Sequence, residues 1–294
     1  MSTFVHLIAD YGPADPAFSE VVHRLTAADP TITVQSTEVQ PFSTVATGFW
    51  IAQLGAHNPS FDDLLIYSNT APRTTESTPE RADTGGPLCY LELDNGVPVV
   101  AVDAGYNLSF IAGRATTFRE IELPADTGQF RSRDVFPRRV AEIANGNRSS
   151  LGAERSLDDV PAPPESVVCH VDGYGNVKTS IRTSEFEPGS DTVAVELNGA
   201  SREIVVRDAV SDVPEGSLAI VPGSAGGGDP YQELFLRGGS AASAFGTRSP
   251  ETVSLYGRNR AEIDLRYDGP RGAKRGIELV RSACQRLTTL RGVY

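Results

Sequence analysis

Three cysteines, Cys89, Cys169 and Cys284, are all that 294 residues contain, an odd number at wide spacing. That argues against a disulfide framework or a zinc cluster and fits a reducing compartment. Lysine is rarer still: only Lys178 and Lys274 are present, and arginine supplies the remaining positive charge. The net charge is -12 and no basic stripe exists, so nucleic acid is not an expected partner. An acidic surface that is poor in lysine fits a salt-adapted or GC-rich composition and speaks to solubility rather than activity. No apolar run approaches the ~20 residues that cross a bilayer, so no membrane partner is expected. The first residues lack a basic segment followed by an apolar core, and the expectation is a cytoplasmic protein. There is no internal repeat. Gly226-Gly227-Gly228 is not followed by the Gly-Lys-Ser/Thr of a phosphate loop and reads as a flexible hairpin.

What is present divides the chain. Residues 1–148 read as an α/β domain. Phe4–Ile8 is a short buried strand, and Asp15-Pro16 caps a helix carrying Phe18, Val21, Val22 and Leu25 at helical spacing. Further strands are expected over 31–39, 64–67, 88–93 and 97–102, the last two joined by the Asp94-Asn95-Gly96 hairpin. Helices are expected over 45–54 and 135–144. Residues 149–164 are polar and proline-rich and read as a linker. Residues 165–257 carry seven short strand patterns, over 167–171, 176–181, 193–197, 203–206, 218–221, 234–236 and 252–255. These predict a small all-β barrel or sandwich. A C-terminal extension, 258–294, contains a short amphipathic pattern at Ile277, Val280, Cys284 and Leu287.

Chemistry concentrates in Asp172-Gly173-Tyr174-Gly175-Asn176, which lies between two β-branched runs. One tight turn there presents a carboxylate that can hold an ammonium, a ring that can stack on a purine, and an amide that can read a base edge. Such a kit suits a nucleoside-bearing ligand, although Asp-Gly and Gly-Asn are also ordinary hairpin residues.

An α/β half followed by a small barrel, with Ala9-Asp10-Tyr11-Gly12, Gln129-Phe130-Arg131-Ser132-Arg133-Asp134 and Asp172-to-Asn176 in this order, resembles the S-adenosylmethionine (SAM) hydroxide adenosyltransferases. That family also holds the fluorinase and chlorinase. The resemblance implies a Rossmann-like mixed sheet in the N-terminal domain, a barrel after it, and a homotrimer with sites between subunits. It implies SAM as substrate, attacked at C5′, with no cofactor and no metal. Asp10 would accept both ribose hydroxyls, as the two oxygens of a carboxylate suit a vicinal diol. Asp15 would lie near the amino-acid ammonium, but a helix cap explains it equally well. Phe42 and Phe130 would pack near the substrate, Phe42 being as readily a core residue. Asp172 would meet the ammonium, Tyr174 would cover adenine and Asn176 would read its edge. Ser224 would contact the amino-acid carboxylate, with Arg237 in support.

The chain departs from this pattern where the hydrolases hold their attacking water. Their aspartate is replaced by Ser68 or Asn69, Arg73 sits only approximately at an arginine position, and their histidine is replaced by Arg131. Arginine stays protonated and cannot act as a base. Ser132 stands where the fluorinase has a halide-binding serine. Ser68, Asn69, Arg131 and Ser132 are therefore the residues expected along the nucleophile's approach. Three readings follow: hydrolysis of SAM to adenosine and methionine, binding of SAM or adenosine without turnover, and substitution by halide.

Overall fold

A computed structural model describes residues 3–71, 86–125, 128–247 and 253–256. Arg73, Cys284 and the amphipathic pattern of the C-terminal extension lie outside the described residues. Among the described residues the chain forms two seven-stranded sheets with few helices.

The first sheet uses β1 (Phe4–Ala9), β2 (Thr33–Glu38), β3 (Leu64–Asn69), β4 (Leu88–Leu93), β5 (Pro98–Val102), β6 (Ala115–Ile121) and β7 (Leu151–Glu154). Its order is β2-β1-β3-β5-β4-β6-β7. The first four strands in that order run parallel, and β4, β6 and β7 add antiparallel pairings, so the sheet is mixed. β3 is buried at every position, as expected for a central strand covered on both faces. Alternation along the strands sorts the side chains. Val5, Leu7, Leu65 and Tyr67 face α1 (Pro16–Ala28), while Ile8, Leu64 and Ile66 face α2 (Thr44–Ile51).

Several sequence expectations need adjustment. The helix expected over 45–54 is α2 followed by a π-helical turn, Ala52–His57. The stretch read as a linker holds β7, which pairs with β6 through Arg119↔Glu154 and Ile121↔Leu151. The sequence reading contains neither strand, and β7 spans only four residues without an apolar alternation. α3 (Arg131–Asp134) precedes α4 (Phe136–Ala144), which ends at Asn145-Gly146 with Gly146 at φ +78°.

The second sheet contains β8 (Val168–Val171), β9 (Val177–Arg182), β10 (Thr192–Leu197), β11 (Ala200–Val206), β12 (Leu218–Pro222), β13 (Tyr231–Leu236) and β14 (Val253–Tyr256). Each falls on one of the seven expected strand patterns. Its order is β14-β10-β11-β12-β13-β9-β8, a half-barrel whose edges β14 and β8 are not paired with each other among the described residues. A five-residue helix, α5 (Ala241–Phe245), packs on it.

The two sheets share a core. Cys169 of β8, Tyr231 of β13 and the adjoining Val167 and Ala225 sit in one buried cluster with Ile66 of β3, Phe49 of α2 and Phe110. Trp50 meets His170 edge-on with ring centroids 5.1 Å apart, and Gly226 N donates to Gln53 Oε1 at 3.0 Å.

Candidate functional site

β1 has β2 on one side and β3 on the other, so the chain reverses its direction of winding between β1 and β3. Open α/β sheets bind ligands outside the carboxyl ends of strands at such a switch point. Asp10 follows β1 directly at that place. Its Oδ2 accepts from Phe42 N at 3.0 Å and from Ala71 N at 3.2 Å, tying together the segments that leave β1, β2 and β3. Burial pushes the Asp10 carboxyl above the ordinary aspartate range, and these backbone donors offset only part of the effect. Phe42 reaches this position with φ +65°, a conformation that costs a bulky residue energy, and its ring is 40% exposed. A half-buried carboxylate with spare acceptor capacity beside an exposed aromatic has the chemistry to accept from a vicinal diol.

Other sequence-selected residues divide around this edge. Asp15 is the N-cap of α1, its Oδ1 accepting from Ala17 N at 2.8 Å, so its carboxylate serves the helix. Ser68 and Asn69 point to opposite faces of β3, because side chains alternate along a strand. Ser68 is fully buried, and its Oγ has no hydrogen-bond partner among the described residues. Asn69 Nδ2 donates to Tyr11 Oη at 2.6 Å. The two therefore do not line one opening together. Arg131 donates to Gly86 O at 3.5 Å and lies over the Phe136 ring, while Ser132 is half-buried on α3. Phe130 is 55% exposed beneath the Arg133 guanidinium. α3 itself is pinned to α1 by Arg24–Asp134 and Arg133–Glu20 ion pairs.

The second cluster is the turn between β8 and β9. Asp172 Oδ1 accepts from Tyr174 N and Asn176 N at 2.9 and 3.0 Å, and Oδ2 accepts from Asn176 Nδ2 at 3.1 Å. Burial alone would push the Asp172 carboxyl up, but these donors and the nearby Lys178 together hold it below the usual range. Gly175 takes φ +81°, and Ala242 N donates to its carbonyl at 2.8 Å, fastening the turn to α5. The result is a rigid loop holding the Tyr174 ring out at 84% exposure. A ring so exposed on so constrained a turn has its faces open for stacking. Ser224 is exposed nearby and accepts from Lys178 Nζ at 3.3 Å. Arg237, by contrast, binds Ser211 O and Val213 O and pairs with Glu215, so it holds a loop of its own sheet.

Asp10 and Asp172 have separate sets of partners. α2 runs between their neighbourhoods: its cap Ser43 adjoins Phe42, and its Trp50 touches His170. Seven residues of helix separate these points by about 10 Å. Lys178 and Glu233 are not among the residues selected from the sequence. The one available signal is the rarity of lysine, and nothing local links Lys178 to a glutamate 55 positions away.

Residues 166–254 match the SAM hydroxide adenosyltransferase C-terminal domain. No curated protein matches the chain. Among solved structures, an uncharacterized conserved protein from Thermotoga maritima superposes with a TM-score of 0.65 at 21% identity, covering 86% of this chain and 99% of its own. A conserved hypothetical protein from Thermus thermophilus superposes with a TM-score of 0.61 at 21% identity, with the same coverages. Likeness at this level of identity establishes a shared fold.

Proposed function

We propose, from the premise that residues 166–254 belong to the SAM hydroxide adenosyltransferase C-terminal domain family, that the chain binds SAM and substitutes water at C5′, releasing adenosine and methionine. The observation that carries this reading is the turn at Asp172–Asn176: a matched family segment whose backbone is locked and whose Tyr174 ring stands free. Asp10, at the switch point of the first sheet, supplies the acceptor for the ribose diol. Because the two clusters have no partner in common among the described residues of one chain, the complete site is a proposal for an assembly. Following the family resemblance, the Asp10 edge of one subunit faces the Tyr174 turn of the next in a homotrimer.

In the reaction, a water lone pair forms the C5′–O bond as the C5′–S bond breaks. The sulfonium leaves as a neutral thioether, and the attacking water gives up one proton to solvent. A good leaving group makes alignment and desolvation the main contributions of the protein. Asp10 and Tyr174 orient the adenosyl group for in-line attack.

A second reading, binding without turnover, is favoured by the surroundings of the expected nucleophile approach. Ser68 is sealed in the core, Asn69 is committed to Tyr11, the Arg131 guanidinium offers donors and no acceptor, and burial holds the Tyr11 phenol far above the range of a working base. None of these can take a proton from water at neutral pH.

Prolonged incubation of concentrated protein with SAM, followed by quantification of adenosine and methionine, separates the readings. Equimolar release of both supports hydrolysis. Thermal stabilisation by intact SAM without product moves the assignment to binding, and 5′-chloro-5′-deoxyadenosine in chloride buffer moves it to halide. Neither stabilisation nor product would sink the site altogether.

A further inference from the structure

We infer that Lys178 determines which part of an adenosyl sulfonium this protein recognises: its ammonium fills the acceptors that a ligand's amino-acid ammonium would require, so binding depends on the adenosyl sulfonium and not on an α-amino group. This inference rests on the site reading above and specifies its substrate class.

The geometry is that of a filled subsite. Lys178 Nζ lies 2.7 Å from Glu233 Oε2, 3.3 Å from Ser224 Oγ and 3.6 Å from Asp172 Oδ2. Of the three donors of the ammonium, two reach Glu233 and Ser224 at hydrogen-bond distance, and Asp172 stands at ion-pair distance. The Lys178 and Glu233 side chains are only 13% and 9% exposed, so the pair is shielded from competing water. Asp172 is equally committed. Its oxygens accept from Tyr174 N, Asn176 N and Asn176 Nδ2 and face the Lys178 ammonium at ion-pair distance. A second ammonium arriving at Asp172 or Ser224 would have to displace a hydrogen bond already made, and it would approach a like charge.

A purely architectural role would need less than this. Lys178 on β9 and Glu233 on β13 are direct cross-strand neighbours, and opposite charges at such positions stabilise a sheet without further partners. Reaching Ser224 and Asp172 as well takes the ammonium to the two residues that the family resemblance assigns to the amino-acid end of the ligand. The choice of lysine in a chain whose other cations are nearly all arginine also fits. A compact point charge can serve three converging acceptors, which a planar guanidinium fork cannot.

The test is calorimetric titration of the full chain with two probes, SAM and 5′-deoxy-5′-(dimethylsulfonio)adenosine, which keeps the adenosyl sulfonium and lacks the amino-acid head. The wild type is expected to bind the two within about tenfold of each other. Lys178→Met opens the acceptors and is expected to shift the ratio at least about tenfold toward SAM. Because Lys178→Met leaves Glu233 buried without its partner, Lys178→Met/Glu233→Gln provides the same readout with both charges removed. A wild type that prefers SAM by more than about tenfold, or a folded variant with an unchanged ratio, overturns the inference. Wild type that binds neither probe overturns the site reading itself, a distinct result.

Discussion

At the scale of single residues, Asp10 and Asp172 are the same side chain driven in opposite directions. Burial raises Asp10, and three backbone donors do not compensate; burial also acts on Asp172, but its turn and Lys178 outweigh it. The consequences for stability have opposite signs. A lowered carboxyl stabilises the fold above its unfolded pKa and loses that contribution as pH falls through the folded value. A raised carboxyl favours the fold below its unfolded pKa and loses that contribution as pH rises through the folded value. Asp172→Asn is therefore expected to lower stability at neutral pH by about 1–2 kcal/mol, with the deficit shrinking in acid. Asp10→Asn is expected to leave neutral-pH stability equal or higher, converging with wild type in acid, while weakening adenosine binding. Thermal melts from acid to neutral pH, with adenosine titrations alongside, check both. Marked destabilisation by Asp10→Asn at neutral pH would mean that the carboxylate is there for the fold. Asp10 stands out in the sequence as an acid at a strand end with no structural duty, whereas the capping of α1 by Asp15 is equally legible from Asp15-Pro16. Ser68 and Asn69, adjacent in sequence, present their side chains to opposite faces of β3.

At the scale of elements, the Asp172–Asn176 turn owes its shape to more than hairpin chemistry. Gly175 has φ +81°, and a Cβ there would collide with the Ser240 hydroxyl and stand 3.2 Å from Ser240 Cα. Gly173 has nothing within 4 Å of the equivalent point. Gly175→Ala is accordingly expected to cost about 1–3 kcal/mol and to weaken ligand binding, whereas Gly173→Ala changes stability little. Melting temperatures of the two variants compare the positions directly; equal values would show that α5 does not clamp the turn. The strands flanking the turn are readable from β-branched alternation. α5 is not, since five residues of mostly small side chains carry no helical period. β7 escapes for a similar reason: four residues without an apolar face owe their strand conformation to β6 alone.

At the scale of the whole molecule, Tyr231 joins the two sheets. It belongs to β13, yet its ring packs 5.7 Å from Phe49 and 6.3 Å from Phe110, with the Arg182 guanidinium 3.8 Å from its centroid. Tyr231→Ala is expected to cost about 3–5 kcal/mol and to split a single denaturant transition into two, read by comparing fluorescence with far-UV circular dichroism. A variant that still unfolds in one step at an unchanged midpoint would show that the shared core does not couple the sheets. Local alternation, turn residues and capping signals were enough to locate all seven strands of the second sheet, α1, and the turn that bears Tyr174, because each depends on neighbours a few positions away. The pairing of β6 with β7 and the convergence of Lys178 with Glu233 and Ser224 came only from the tertiary structure. Those contacts join residues tens of positions apart, and they exist only once distant strands have paired.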